Sequence, residues 1–435
     1  MTDTDRSTPS VPTVPREVQE AVEAMADDAR AASRVLATAH RSHKDTALRR
    51  MAEGIDAGRS VILEANARDL ARGREKGMAE NLLDRLALDD ARIDALITAL
   101  HELAGQTDPV GQIIDGQTLP NGLRVSRIRV PMGVVGAIYE ARPNVTVDIA
   151  GLAVKSGNAA MLRGGSAAQE TNTALVGILR DALDAAGFPM DAVQSVDEYG
   201  RDGATALMLA RGRVDVLVPR GGRGLIQSVV ANARVPVIET GEGNVHIYLG
   251  ASAPEQMAVD LVVDSKTDKP SACNSAETLL IQEGAPAAEA VLRGLLEAGV
   301  RLHADEAAAR LAGGLSEQVL AAQDGDWADE SLALEMSVRV VPDMEEALRH
   351  IQRHSTGHTE LIITNDLAEA DEFVSRVDAA TVMVNSSTRF TDGGQLGLGA
   401  EVGISTQKLH ARGPMGMTEL TTSKWVVRGQ GQTRG

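Results

Sequence analysis

The sequence predicts an α/β protein of two α/β domains, each built on a mainly parallel sheet. Three observations carry this. The chain has 435 residues, more than one ordinary core takes and enough for two or three domains. From Val134 to Ile238 short apolar runs alternate with helical stretches, as in a parallel sheet with crossover helices. A second pattern of the same kind starts after Ala253.

Taken in order, residues 1–15 (MTDTDRSTPSVPTVP) are polar and proline-bearing and read as a disordered arm. They lack the apolar stretch of a secretory signal, and no apolar run in the chain is long enough to span a membrane. A cytoplasmic protein is the expectation. From Pro15 to Leu103 the pattern is helical: apolar residues recur at three- and four-residue steps in Val18–Leu36. Ser42 and Asp45 suggest a capping box ahead of Ala47, Met51 and Ile55. Further helical stretches are Val61–Ala71, Leu82–Leu86 and Ala91–Leu103, closed by Asp108, Pro109 and Gly111.

Arg124–Arg129 alternates basic and apolar residues, as a half-exposed strand does. The expected strands of the first sheet are Val134–Tyr139, Ala159–Arg163, Val193–Val196, Val214–Val218 and Val235–Ile238. Helices Val145–Lys155, Gln169–Ala186, Thr205–Ala210 and Leu225–Asn232 lie between them. In the second pattern Gln256–Val263 and Ala287–Ala298 read as helices; Glu277–Ile281, Leu361–Thr364 and Thr381–Val384 read as strands.

Aromatic residues are only 2%, so the core rests on Ala, Val, Leu, Ile and Met. A net charge of −18 argues against general binding to nucleic acid or an anionic membrane, though not against a small anion in a local basic pocket. The single cysteine excludes an internal disulfide and a cysteine-based zinc cluster.

Two expected strands end in Arg-Gly-Gly: Arg163-Gly164-Gly165 and Arg220-Gly221-Gly222. Glycine admits a phosphate close to the backbone and arginine offers a cationic fork, so the pair points to a phosphate-bearing cofactor at the C-terminal ends of the strands. Neither G-x-G-x-x-G nor G-x-x-x-x-G-K-[ST] occurs, so any nucleotide is held in a less common way. Cys273 stands in KPSACNS, a proline-bearing polar stretch that suits a reactive thiol in a loop better than a packed apolar position. His350, His354 and His358 have helical spacing, but Gly357 interrupts it and no carboxylate sits between them; a solvated helix end is the expectation, and no metal. The glycine-rich stretch Asn385–Gly403 is long, irregular and carries Phe390, as functional loops do.

VGAIYEARPN (Val135–Asn144), NAAMLRGG (Asn158–Gly165), LVPRGG (Leu217–Gly222), PSACNSAETL (Pro270–Leu279) and Ser386–Met415 together resemble the γ-glutamyl phosphate reductase family of the aldehyde dehydrogenase superfamily. Ala347–Ile362, with His358-Thr359-Glu360, is similar to the same family's signature, and the resemblance runs from Glu17 to Val426. It implies an aldehyde-dehydrogenase-like fold: a cofactor domain over 16–122 and 132–250, a catalytic domain over 251–400, and a small oligomerisation element from 123–131 and 401–428. It implies NADPH-dependent reduction of γ-glutamyl phosphate to glutamate 5-semialdehyde through a cysteine thioester, by a homo-oligomer for which a glutamate 5-kinase is a candidate partner. By the same resemblance Cys273 is the nucleophile and Asn144 an oxyanion donor. Arg163, with Gly164 and Gly165, meets the adenosine ribose and its 2′-phosphate. Arg220, Gly221 and Gly222 approach the pyrophosphate; Glu239 falls near the superfamily's general base and is counted with the cofactor-binding residues. Val245 stands where relatives often carry a second cysteine. Arg142, Arg389 and Phe390 are the candidates for substrate contact. Two other readings stay open: an aldehyde dehydrogenase that oxidises a free aldehyde, and a nucleotide-binding scaffold without catalysis.

Overall fold

A computed structural model describes residues 13–434, the Asn81 side chain excepted; most of the expected arm, residues 1–12, lies outside the described residues. The described chain forms two compact units. One runs to Glu239 and takes in Leu398–Gly403 and the chain from Met415 onward; the other holds Thr240–Gly397 and Ile404–Pro414.

The first unit begins with five helices, α1 (Arg16–Leu36), α2 (Arg41–Ala57), α3 (Arg59–Glu75), α4 (Glu80–Leu86) and α5 (Asp90–Gly105). The expected capping box is not formed. Helix α2 starts at Arg41, so Ser42 and Asp45 lie inside it, and His40 is its N-cap. The Asp45 carboxylate instead takes the ammonium of Lys155, a fully buried lysine whose Nζ also donates to the Ala104 carbonyl at 2.9 Å. A buried cation without a partner is expensive, and this need outweighs a cap on a helix that packing already holds.

Strands β1 (Ile113–Thr118) and β2 (Arg124–Pro131) follow, then β3 (Val134–Tyr139), α6 (Pro143–Lys155), β4 (Ala159–Arg163), α7 (Gln169–Ala185), β5 (Val193–Ser195), α8 (Gly200–Leu209), β6 (Val216–Arg220) and α9 (Arg223–Asn232). β3 to β6 make a parallel four-stranded sheet in the order β5-β4-β3-β6. Val134 and Ile138 of β3 and Met161 of β4 pack with Val22, Ala26 and Ala29 of α1 and with Leu207 of α8. The alanines on α1 let helix and sheet approach closely, which is how a core with so few aromatics is filled.

The strand expected at Val235–Ile238 is reduced to a single bridge, Leu217 to Val237. Pro236 has no N–H to donate, so the ladder stops after the Pro236 carbonyl accepts from Leu217 and Ile238 donates back.

The second unit carries β7 (Val245–Leu249), α10 (Glu255–Thr267), β8 (Ala276–Gln282), α11 (Ala288–Glu297), β9 (Arg301–Ala304), α12 (Glu306–Leu311), β10 (Val319–Ala321), β11 (Glu335–Val341), α13 (Met344–His354), β12 (Thr359–Ile363), α14 (Leu367–Arg376) and β13 (Thr381–Val384). Its parallel seven-stranded sheet has the order β10-β9-β11-β8-β7-β12-β13. Leu279 and Ile281 face the core with Val291 and Leu295 of α11, while Leu280 between them faces Leu348 and Ile351 of α13 and Phe373 of α14. The two-residue period of the strand therefore serves both covered faces. Because β7 pairs with β8 and β12, the change of sheet falls at Glu239–Thr240 and not near residue 250.

Short strands β14 (Ile404–Ser405) and β15 (Gly413–Pro414) pair with each other, and β16 (Thr421–Arg428) joins β2 in an antiparallel sheet of order β1-β2-β16. β1 had no counterpart in the expected element of 123–131 and 401–428. All six of its residues are exposed, so it lacks the apolar alternation that marks a strand in sequence.

Candidate active site

In the first unit the chain leaves β3 for β4 and β5 on one side, then returns to the other side as β6. The switch point between β3 and β6 is where an open parallel sheet offers a ligand crevice at its C-terminal edge. Register places Arg163 opposite Ile138 and Arg220 opposite Tyr139, so both Arg-Gly-Gly turns flank the end of one strand.

The glycines there serve different ends. A Cβ at Gly164 would stand 1.9 Å from Asn172 Nδ2, so this position is filled by a protein side chain. The Gly164 N–H donates to Asp197 Oδ1 at 2.7 Å, and Asn172 Nδ2 reaches the other oxygen at 3.2 Å. A Cβ at Gly165 would approach the main chain of Glu140 and Ala141, and one at Gly221 the Glu140 carboxyl carbon at 2.7 Å. The Gly222 N–H, at the start of α9, donates to Glu140 Oε2 at 3.0 Å. Arg163 donates through Nε to the Gly200 carbonyl at 3.3 Å. Burial draws its guanidinium below the ordinary arginine value; Asp197 supports the charge and Arg201 opposes it. Arg220 keeps a buried Nε without a hydrogen-bond partner. Glu239 is half-buried and is the last residue of this unit before Thr240.

Helix α6 begins at the end of β3. Arg142 is its N-cap, Pro143 its first residue, where a missing N–H costs nothing, and Asn144 its second. Asn144 is exposed, and its Nδ2 donates to Asp148 Oδ2 one turn on at 3.1 Å. Burial pushes the Asp148 carboxyl up to about 6, against the pull of Asn144 and Arg220.

In the second unit Cys273 is half-buried in the turn between α10 and β8. The turn is held from two sides. Asn274 donates to the Thr391 carbonyl at 2.7 Å and its own carbonyl accepts from Thr388 Oγ1 at 2.7 Å. That clamp sets Arg389 and Phe390 beside the turn; Arg389 Nε is bonded to Asp268 Oδ2 at 2.9 Å, and Phe390 is 48% exposed. On the other side Gly243 lies so close that a Cβ there would stand 1.4 Å from the Cys273 carbonyl oxygen. The Gly243 N–H donates to Glu330 Oε1 at 2.9 Å, and burial raises this carboxyl above the usual range. Thr356 donates to the Glu242 carbonyl and accepts from the Asn244 N–H at 3.1 Å. Gly243, Glu330 and Thr356 were not anticipated from sequence. Gly243 meets the cysteine turn because β7 neighbours β8, and Glu330 and Thr356 hold the segment around Gly243.

The three histidines are not a solvated helix end. His350 and His358 are buried. His350 packs edge-on against Trp327 and His246, accepts from Arg339 at 2.9 Å, and is pushed down to about 2 by burial. His358 is likewise pushed down to about 4. Both are neutral packing groups at ordinary pH. Among the described residues no group of three or more His, Cys, Asp or Glu side chains is arranged to hold a metal ion, and no helix is long and apolar enough to cross a membrane.

The aldehyde dehydrogenase family model matches residues 6–310. A gamma-glutamyl phosphate reductase of Leifsonia xyli subsp. xyli is 58% identical over 408 residues, covering 93% of this chain and 96% of that protein. One of Kineococcus radiotolerans is 55% identical and covers 96% and 97%. The crystal structure of gamma-glutamyl phosphate reductase from Thermotoga maritima superposes with a TM-score of 0.91 at 44% identity, over 95% of this chain and all of that one.

Proposed function

Because the chain belongs to the aldehyde dehydrogenase family, and within it to the gamma-glutamyl phosphate reductases, we infer that it reduces γ-glutamyl phosphate to glutamate 5-semialdehyde and phosphate, the second step from glutamate to proline. The observation that carries this at residue level is the sole cysteine, half-buried on a turn clamped by main-chain contacts on both sides.

Cys273 attacks the acyl carbon as a thiolate and phosphate leaves, giving a thioester. Phosphate departs readily, so no general acid is required. The oxyanion of each tetrahedral state is assigned two donors, the Asn144 carboxamide and the Cys273 N–H; one preset donor is commonly worth about 3 kcal/mol. A nicotinamide cofactor, which Arg163 and Arg220 would hold, would supply the hydride that reduces the thioester carbon. Collapse of the thiohemiacetal then frees the aldehyde and restores the thiolate. Water has to be excluded, because hydrolysis would return glutamate. A strong base beside the thiol would harm this enzyme, so Glu239 is assigned to the cofactor side and not to water activation. Arg142 and Arg389 are the cations proposed for the substrate's carboxylate or phosphate, with Phe390 as an apolar wall.

The residues fit a dinucleotide phosphate. Arg163 has Arg201 in its field, and Arg220 carries an orphaned buried Nε at the same sheet edge. We assign Arg163 to the 2′-phosphate of NADPH, with Gly164 and Gly165 shaping its turn, and Arg220, Gly221 and Gly222 to the pyrophosphate, where Glu140 is the internal competitor. Arg163→Ala is expected to weaken NADPH at least about tenfold and NADH less than about threefold, read by cofactor fluorescence. Equal weakening would remove Arg163 from the 2′-phosphate.

Ile113, Trp425 and Val427 are exposed on the antiparallel sheet, which supports a homo-oligomer built across it. A cytoplasmic location and delivery of the acyl phosphate by a glutamate 5-kinase fit the lability of the substrate. The function is tested in reverse. NADP reduction by glutamate semialdehyde is expected to require phosphate. Phosphate-independent turnover to glutamate would identify an aldehyde-oxidising enzyme instead.

A further inference from the structure

Asn144 and Asp148 share one face of α6, a turn apart. Their bond runs from the Asn144 amide nitrogen to a carboxylate oxygen, at 3.1 Å. The direction of that bond matters. An exposed carboxamide has two orientations a half-turn apart, with nitrogen and oxygen exchanged. An ionised carboxylate only accepts, so it admits only the orientation with nitrogen towards it. One N–H is then occupied and the second is left, with its direction fixed. No side chain on the helix other than Asp148 is bonded to Asn144 among the described residues.

We propose that Asp148 is a positioning residue, which holds the Asn144 carboxamide in the single orientation on which its assigned role as an N–H donor depends. The inference rests on the oxyanion role assigned to Asn144 above and adds the group that enforces it.

The groups that face Asp148 come from three places. Asn144 lies on its own helix, Arg220 at the end of β6, and Glu401 in the segment 398–403. Burial and Glu401 disfavour its ionised form, Asn144 and Arg220 favour it, and the carboxyl is pushed up to about 6. Above that pH it is ionised and the amide has one orientation. Below it the carboxyl carries a proton taken from solvent and can donate to the Asn144 carbonyl oxygen. Both amide orientations are then open, and the fraction in the donor orientation falls. The turnover number should therefore fall as pH drops through about 6.

The test uses the full-length enzyme in the reverse reaction, with glutamate semialdehyde, NADP and phosphate from pH 5 to 8. Asp148→Asn is nearly isosteric, so it guards against loss of fold, and its carboxamide both donates and accepts at every pH. Asp148→Asn and Asp148→Ala are each expected to lower kcat about 10- to 100-fold at pH 7.5, with KM values within about threefold, and to lack the fall near pH 6. Asn144→Ala should lose at least as much, and the double variant Asn144→Ala with Asp148→Ala should be no slower than Asn144→Ala, because both act through one amide. If the two losses multiply, or if Asp148→Asn keeps the wild-type rate and pH profile, the inference is overturned while the role of Asn144 stands. If Asn144→Ala itself keeps the wild-type rate, the oxyanion reading and this inference fall together.

Discussion

Cys273→Ala is expected to lose at least about 10⁴-fold in kcat while NADPH affinity stays within about threefold of wild type. The loss is large because both the acyl transfer and the release of aldehyde make or break a bond to this sulfur. The chain has no other thiol to take its place. Cofactor affinity should hold because Arg163 and Arg220, the cations proposed for the cofactor phosphates, are untouched by the substitution. Cys273→Ser should fall nearly as far, since an alcohol is far less ionised than a thiol at neutral pH. The measurement is kcat in either direction beside a fluorescence titration with NADPH. Residual activity above about one per cent in Cys273→Ala would move the chemistry to another residue.

Gly243→Ala adds one methyl group and should cost at least about 100-fold in kcat. The new Cβ would stand 1.4 Å from the Cys273 carbonyl oxygen and 2.4 Å from its carbonyl carbon. Those are main-chain atoms, so nothing flexible can yield. Either the cysteine turn moves or the 242–244 segment does, and that segment is tied to Glu330, Thr356 and, through Asn244, to the Trp327 and His354 carbonyls. A displacement on the scale of an ångström is enough to spoil attack at the acyl carbon. The variant should still fold, because β7 and β8 keep their register beyond this point, and a thermal melt separates the two effects. Wild-type kcat in a folded Gly243→Ala protein would show that the turn has slack.

Much of this site was legible in the chain before any fold was known. Strands 134–139, 159–163 and 381–384 have the expected bounds because each is a short apolar run closed by glycine, asparagine or a charged residue. The two Arg-Gly-Gly turns fall at one sheet edge, as expected, though β3 lies between their strands. Cys273 was identifiable because a lone thiol among small polar residues makes a poor core residue.

What was not legible depends on strand order. Gly243 and Cys273 are thirty positions apart and meet only because Val245 pairs with Ala276. The thiol also lies before its strand, at the N-terminal edge of the second sheet, where the general rule for open α/β sheets does not look for ligands. The histidine triplet misled for a related reason. Its spacing suggested an exposed face, whereas Trp327 and His246, from distant parts of the chain, cover His350. Strands β1 and β16 were missed because they lie mostly bare, and an uncovered strand need not alternate.

An acyl group held by Cys273 and protected from water is the central intermediate of the proposed reaction. Enzyme mixed with glutamate semialdehyde and NADP, with phosphate left out, should make one NADPH per active site and then stop. Peptide mass spectrometry should then find a glutamyl adduct on Cys273, and added phosphate should discharge it and restart turnover. Sustained NADPH formation without phosphate, or a stalled enzyme whose Cys273 carries no acyl group, would contradict it.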